Sequence, residues 1–249
     1  MNICKYFIPK KSPFTYFGNE YFYEWASLDE NGLSFYPYIE YKFNELPSNL
    51  GISRKLSVWD GIALPKLISK IIVCDIKSLC LRTPRISYTA FKFLTASGKI
   101  KELELNQTIV TLKNGNVVPY EILLQHTPNL RVLKITYDPQ KRLSKKLVDK
   151  ICESNLENLE LGSLTGDFKF ESFLAAIAKK KPNFDINLHF LYSFNTRRNI
   201  KSYMDKLISA GLPDSLPPHF DCCLFDDVRR KAYENLRNAY LPRNLNLVN

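Results

Sequence analysis

The sequence predicts an α/β solenoid, a curved parallel sheet of five or six strands with helices along its convex side. Three observations carry this expectation. A short apolar pattern recurs every 24 to 30 residues. Between its copies the hydrophobic period changes from 2 to about 3.6, the mark of a strand followed by a helix. Turn residues fall between the elements so defined.

The first element is a half-repeat, with Lys55-Leu-Ser-Val-Trp59 as a strand and Leu64 to Ile72 as its helix. The full pattern then appears as Ile76-Lys-Ser-Leu79-Cys-Leu81, Ile100-Lys-Glu-Leu103-Glu-Leu105, Leu130-Arg-Val-Leu133-Lys-Ile135 and Leu156-Glu-Asn-Leu159-Glu-Leu161. Its central leucines stand 24, 30 and 26 residues apart, and a degenerate fifth copy, Asp185-Ile-Asn-Leu188-His-Phe190, follows at a step of 29.

Helical spacing fills the intervals. After the first full copy a helix is expected over 87–97, closed by Gly98. Val118 and Ile122 stand four apart behind Pro119, which suits a first helical turn. Leu143, Leu147, Val148 and Ile151 form the next stripe, just past the turn signal Asp138-Pro139, with Ser144 near its start. Phe170, Phe173, Leu174 and Ile177 follow, then Ile200, Tyr203, Met204, Leu207 and Ile208. Pro128 and Pro182 separate helices from strands. A terminal stripe of Phe225, Val228, Ala232 and Leu236 reads as a cap over the last repeat.

These copies resemble the leucine-rich-repeat family, whose strand pattern and period they match over residues 55–210. They depart from it at the asparagine position of regular repeats, where Pro84, Thr108, Asp138 and Leu164 stand instead, so the repeats are irregular. At the N-terminus, Cys4-Lys5-Tyr6-Phe7 with Pro9 and Pro13 resembles the closing helix of an F-box in expanded nematode-type F-box proteins. That resemblance implies a substrate receptor of a ubiquitin ligase, or a variant without the adaptor contact, since only the end of an F-box is represented. The expected organisation is an F-box remnant and aromatic-rich cap over 1–54, the irregular solenoid over 55–214, and a capping helix and tail over 215–249.

Composition bounds the function. Of 249 residues, 45% are hydrophobic and 24% charged, values of an ordinary folded chain rather than a disordered one. The most apolar stretch, Ile68 to Cys80, is broken by Lys70, Asp75 and Lys77, and Met1 to Pro13 has no signal-peptide core, so a cytoplasmic or nuclear protein without membrane contact is expected. Cys4, Cys74, Cys80, Cys152, Cys222 and Cys223 show no metal-binding spacing and read as free thiols. His126, His189 and His219 lack any hydrolase or metalloprotease motif around them. Neither Asp226-Asp227 nor Glu102 and Glu104 has the spacing of a specific carboxylate pair. No catalytic residue, cofactor or metal is expected.

The net charge of +10 raises nucleic acid as an alternative partner. The basic clusters Lys141-Arg142, Lys145-Lys146, Lys179-Lys180-Lys181, Arg197-Arg198 and Arg229-Arg230-Lys231 are dispersed, however, and lie in or beside helical patterns. The aromatics between Phe14 and Phe43 are interleaved with Glu20, Glu24, Asp29, Glu30 and Glu40, which repel phosphate. The concave face is the better candidate. Alternation assigns to it Ser78, Cys80 and Arg82, then Glu102, Glu104 and Asn106, Val132, Lys134 and Thr136, Asn158 and Glu160, and Asn187 and His189. Arg82, Glu102, Glu104, Lys134, Asn158 and Glu160 are the expected contacts for a protein ligand, and their mixed charge does not suit a polyanion.

Overall fold

A computed structural model describes residues 15–17, 25–35, 39–136, 143–191, 193–211, 213–220 and 226–245. The F-box-like segment, the aromatics Phe14, Tyr21, Phe22, Tyr23, Tyr36 and Tyr38, Asp138-Pro139, Lys141-Arg142, Cys222, Cys223 and Phe225 lie outside these residues. The chain forms two compact units, one of residues 1–118 and 125–129, the other of 119–124 and 130–249. Both are α/β, with mostly parallel strands and helices between them.

In the first unit, β1 (Thr15–Phe17), β2 (Ala26–Leu28), β3 (Gly32–Phe35), β4 (Ile39–Lys42), β5 (Leu50–Val58), β6 (Ile71–Leu81) and β8 (Glu102–Leu105) share one sheet. Its order is β8-β6-β5-β2-β3-β4, with β1 also paired to β5. β5, β6 and β8 are parallel, and the register sets Leu56 beside Leu79 and Leu79 beside Leu103. All three leucines are fully buried. Helices α1 (Leu64–Ile68) and α2 (Tyr88–Thr95) connect these strands. A second, two-stranded parallel sheet pairs β7 (Arg85–Ser87) with β9 (Ile109–Thr111).

Two expectations change here. The first helix stops at Ile68 rather than Ile72, because Ile71 to Cys74 pair with Leu50 to Ile52 and lengthen β6. The β-branched run Ile71-Ile72-Val73 fits a half-buried ladder better than a helix turn. Ile72 is 56% exposed as a result. The N-terminal region contributes sheet, with β2, β3 and β4 forming an antiparallel meander on the parallel core. The Asn31-Gly32 dipeptide closes its first turn, where Asp29 accepts the N–H groups of Asn31 and Gly32 at 2.8 and 3.1 Å.

The second unit holds β10 (Val132–Ile135), β11 (Asn158–Leu164), β12 (Asp185–Phe190) and β13 (His219–Phe220), paired in that order and parallel. Leu133 lies beside Leu159, as the repeat predicts. The fifth copy is displaced: Ile186, not Leu188, stands beside Leu159. Ile186 and Leu188 fill the places assigned to Leu188 and Phe190, and a bulge between Leu161 and Leu164, with Ser163 at φ 56°, resets the pairing further on. His219 follows Pro217-Pro218, which suggest a loop, yet it belongs to a short strand beside Asn187.

Helices α3 (Tyr120–Gln125), α4 (Lys145–Glu153), α5 (Phe170–Ala178), α6 (Phe194–Ala210) and α7 (Asp227–Leu245) complete the chain. Phe170, Phe173, Leu174 and Ile177 of α5 are all buried, as their spacing predicts. Phe170 makes edge-on contacts with Phe190, Tyr203 and Phe220 at 5.3 to 5.8 Å between ring centres. The stripe expected on the last helix is wrong: Val228 is 80% exposed, and Tyr233 and Tyr240 are the buried side chains. Tyr233 donates to the Pro218 carbonyl at 3.0 Å and Arg237 to that of Pro217 at 2.6 Å. Polar anchoring of two carbonyls that follow no helix, rather than an aliphatic seam, fixes α7.

Candidate functional site

The six expected contact residues fall in two groups, one per unit, and in each unit they alternate with buried leucines and isoleucines and stay half-buried or exposed. In the first unit, Ser78 stands beside Glu102 and Cys80 beside Glu104. Ser78 donates to Glu102 at 2.9 Å, and Arg82 reaches Glu104 at 3.2 Å. The Arg82 Nε–H also points at the Cys80 sulfur, 3.2 Å away. Cys80 is thereby covered, at 2% exposure, although its side chain belongs to the open face. Burial pushes its thiol pKa up, which keeps it protonated and unreactive.

Arg82 has a further neighbour that its own repeat does not predict. Its guanidinium lies over the Trp59 indole, 4.7 Å from the ring centre. Trp59 follows β5 directly and remains 48% exposed. The Trp59-Asp60-Gly61 sequence carries a turn signal that marks this position, but the stacking depends on β5 and β6 ending side by side, with Val58 opposite Leu81.

The second unit places Lys134, Glu160, Asn187 and His219 on one rung across four strands. Lys134 and His189 approach Glu160 at 3.4 and 3.6 Å. One rung earlier Asn158 donates to Asp185 at 2.8 Å, and Asp185 also receives Arg237 from α7. Burial first, then the charges of Arg237 and His189, push the His219 pKa down, so its imidazole stays neutral at physiological pH. Each expected contact residue is therefore engaged with a neighbour on its own face. Opposite charges alternate across strands, as stable cross-strand pairs require.

Four cations of the basic clusters are similarly engaged, while Lys145, Lys146, Lys179, Arg197, Arg198 and Lys231 are exposed. Lys180 pairs with Asp149 at 2.8 Å, Arg229 with Asp205 and Asp226, and Arg230 with Asp227. Lys181 turns inward, donating to the carbonyls of Ser154 and Leu156 at the end of α4, and burial pushes its pKa down. Asp226 and Asp227 thus serve the start of α7 rather than forming a carboxylate pair. His126 accepts or donates a 2.6 Å hydrogen bond with the Tyr88 hydroxyl.

Cys74, Cys80 and Cys152 are free thiols, and burial pushes Cys74 up to about 12. Among the described residues no three His, Cys, Asp or Glu side chains are placed to hold a metal ion, and no helix is long and apolar enough to cross a membrane. No protein-family model matches the chain, and no curated protein is significantly similar to it.

Proposed function

We propose that this chain is a leucine-rich-repeat-like solenoid acting as a non-enzymatic protein-recognition module, with the open face of its parallel strands as the binding surface. One observation carries the reading: helices occupy the connections, while the uncovered strand positions hold ordered polar side chains of both signs. Such a face offers a protein partner fixed donors and acceptors, with apolar anchors required from the partner. Arg82, Glu102 and Glu104 are the proposed contacts in the first unit, and Lys134, Asn158 and Glu160 those in the second. The F-box resemblance makes a substrate receptor of a ubiquitin ligase, or a variant without the adaptor contact, the proposed setting for this binding.

Nucleic acid is the weaker reading, because the helical cations are dispersed and Lys180, Arg229, Arg230 and Lys181 among them are already bound to carboxylates or turned onto carbonyls. Affinity capture from a native lysate tests the choice, using the intact chain and a Glu102→Lys/Glu160→Lys variant. A protein captured by the first and lost by the second, with thermal melts of both unchanged, supports the open face. Equal capture by both, or a catch of nucleic acid released by moderate salt, removes it.

A further inference from the structure

The first unit carries a cleft that the open-face reading does not use. β2, β5 and β6 end on one rung, with Leu28 beside Val58 and Val58 beside Leu81. The chain leaves them together: Trp59 N–H donates to Leu28 and Arg82 N–H to Val58, at 2.8 and 2.7 Å. Beyond these ends the β2–β3 turn, the Trp59–Ile62 turn and β7 enclose about 870 Å³. That is ample for a few residues of an extended peptide.

The turn geometry is fixed rather than loose. Gly61 donates to the Thr83 hydroxyl at 3.0 Å, and a Cβ at Gly61 would lie 2.5 Å from the Arg85 carbonyl oxygen. No residue but glycine allows this approach without displacing β7. The turn therefore holds Trp59 and Ile62 at the lip, 48% and 86% exposed.

Charge identifies the occupant. Asp29, Glu30 and Asp60 line the cleft with Arg85, a net charge of −2 for the lining on a chain of net +10, while Arg82, stacked on the lip residue Trp59, is paired with Glu104. None of the three acids is in an ion pair among the described residues. Asp29 and Asp60 are held in place by turn N–H groups, Asp60 by that of Ile62 at 2.8 Å. An acidic, apolar-lipped cleft repels phosphate and anionic membrane alike, and it complements a cation beside an apolar side chain.

We propose that the cleft binds an extended segment of a partner protein in which a lysine or arginine adjoins a large apolar residue. The cation sits between the Asp29-Glu30 turn and Asp60, and the apolar side chain covers Ile62 and the free part of Trp59. This rests on the reading of the chain as a recognition module, but it requires no open-face contact.

The test pans the full chain against a display library of random dodecapeptides, then measures the enriched peptides by fluorescence anisotropy. The probes for location are Ile62→Ser and Glu30→Lys, both at exposed positions, with Glu102→Lys as the open-face comparison. Enriched peptides should place Lys or Arg next to an apolar residue. Their affinity should fall about tenfold with either cleft variant, the scale of one lost interface anchor, and hold with Glu102→Lys. Enrichment of acidic peptides, no enrichment, or binding insensitive to both cleft variants overturns the cleft. Loss confined to Glu102→Lys overturns it while leaving the open-face reading standing.

Discussion

At the scale of single residues, the open face is a set of mutual neutralisations, and this part was not legible in the sequence. Period-2 alternation alone places Arg82, Glu102, Glu104, Lys134, Asn158 and Glu160 on one side of their strands. Which of them meet depends on cross-strand register, and that emerges only when Cys80 is set beside Glu104 and Lys134 beside Glu160. His219 is the clearest case, since its sequence neighbours suggest a loop while burial first, and then Arg237 and His189 from other elements, lower its pKa. Its pKa is depressed in the folded state, so the unfolded chain binds the proton more readily. The stability this residue permits is complete above the ordinary histidine value of about 6.5 and is lost as pH falls through the depressed folded value. The groups facing it are Arg237, His189, Asp185 and Glu234, of which the two acids soften the effect. Thermal melts of the intact chain and a His219→Gln variant should therefore converge at neutral pH and separate below it, the variant losing less. Parallel curves across this range would remove the assignment.

Among elements, the strands and helices legible in advance are those whose burial is one-sided and repeated. Leu79, Leu103, Leu133 and Leu159 are at most 1% exposed, and each lies in a strand found where its spacing puts it. Short elements escaped because two or three residues cannot display a period: β7, β9 and β13 owe their conformation to the strand beside them. The meander β2–β3–β4 escaped because its aromatics fall on both parities, although Asn31-Gly32 is a hairpin signal.

Helix starts are a recurring local device. Ser87, Ser144 and Ser193 accept the N–H of Ala90, Leu147 and Thr196 at 3.0 to 3.1 Å, capping α2, α4 and α6. Of these three, α4 has the least support of its own, with Leu147 and Ile151 its buried residues. Ser144→Ala should cost about 0.5–2 kcal/mol by denaturant titration, and Ser144→Asp should restore most of it, since aspartate accepts the same N–H and favours the helix dipole. An alanine variant of unchanged midpoint would mean that the cap contributes nothing.

For the molecule as a whole, net charge and usable charge are different quantities. A chain of net +10 invites the expectation of strong, salt-sensitive binding to nucleic acid. The clusters that supply the excess lie on α4 to α7, where Lys180, Arg229 and Arg230 are held by Asp149, Asp205, Asp226 and Asp227, and Lys181 is turned into the fold. A phosphate must displace these carboxylates before it can release a counterion, so each pair contributes less than a free lysine would. A dedicated site with about 6–10 phosphate contacts gives a log–log salt slope of roughly −5 to −9 on duplex DNA. Cations that are dispersed over several helices and in part engaged support only about 2–3 contacts at once, which corresponds to a slope of roughly −2 to −3 and weak binding at physiological salt. Titrating a labelled duplex between 50 and 200 mM salt separates these cases. A shallow slope leaves the basic excess as a solvated helix surface, whereas a steep one would mean that phosphate outcompetes the carboxylates and that the helical side, not the strand face, is the binding surface.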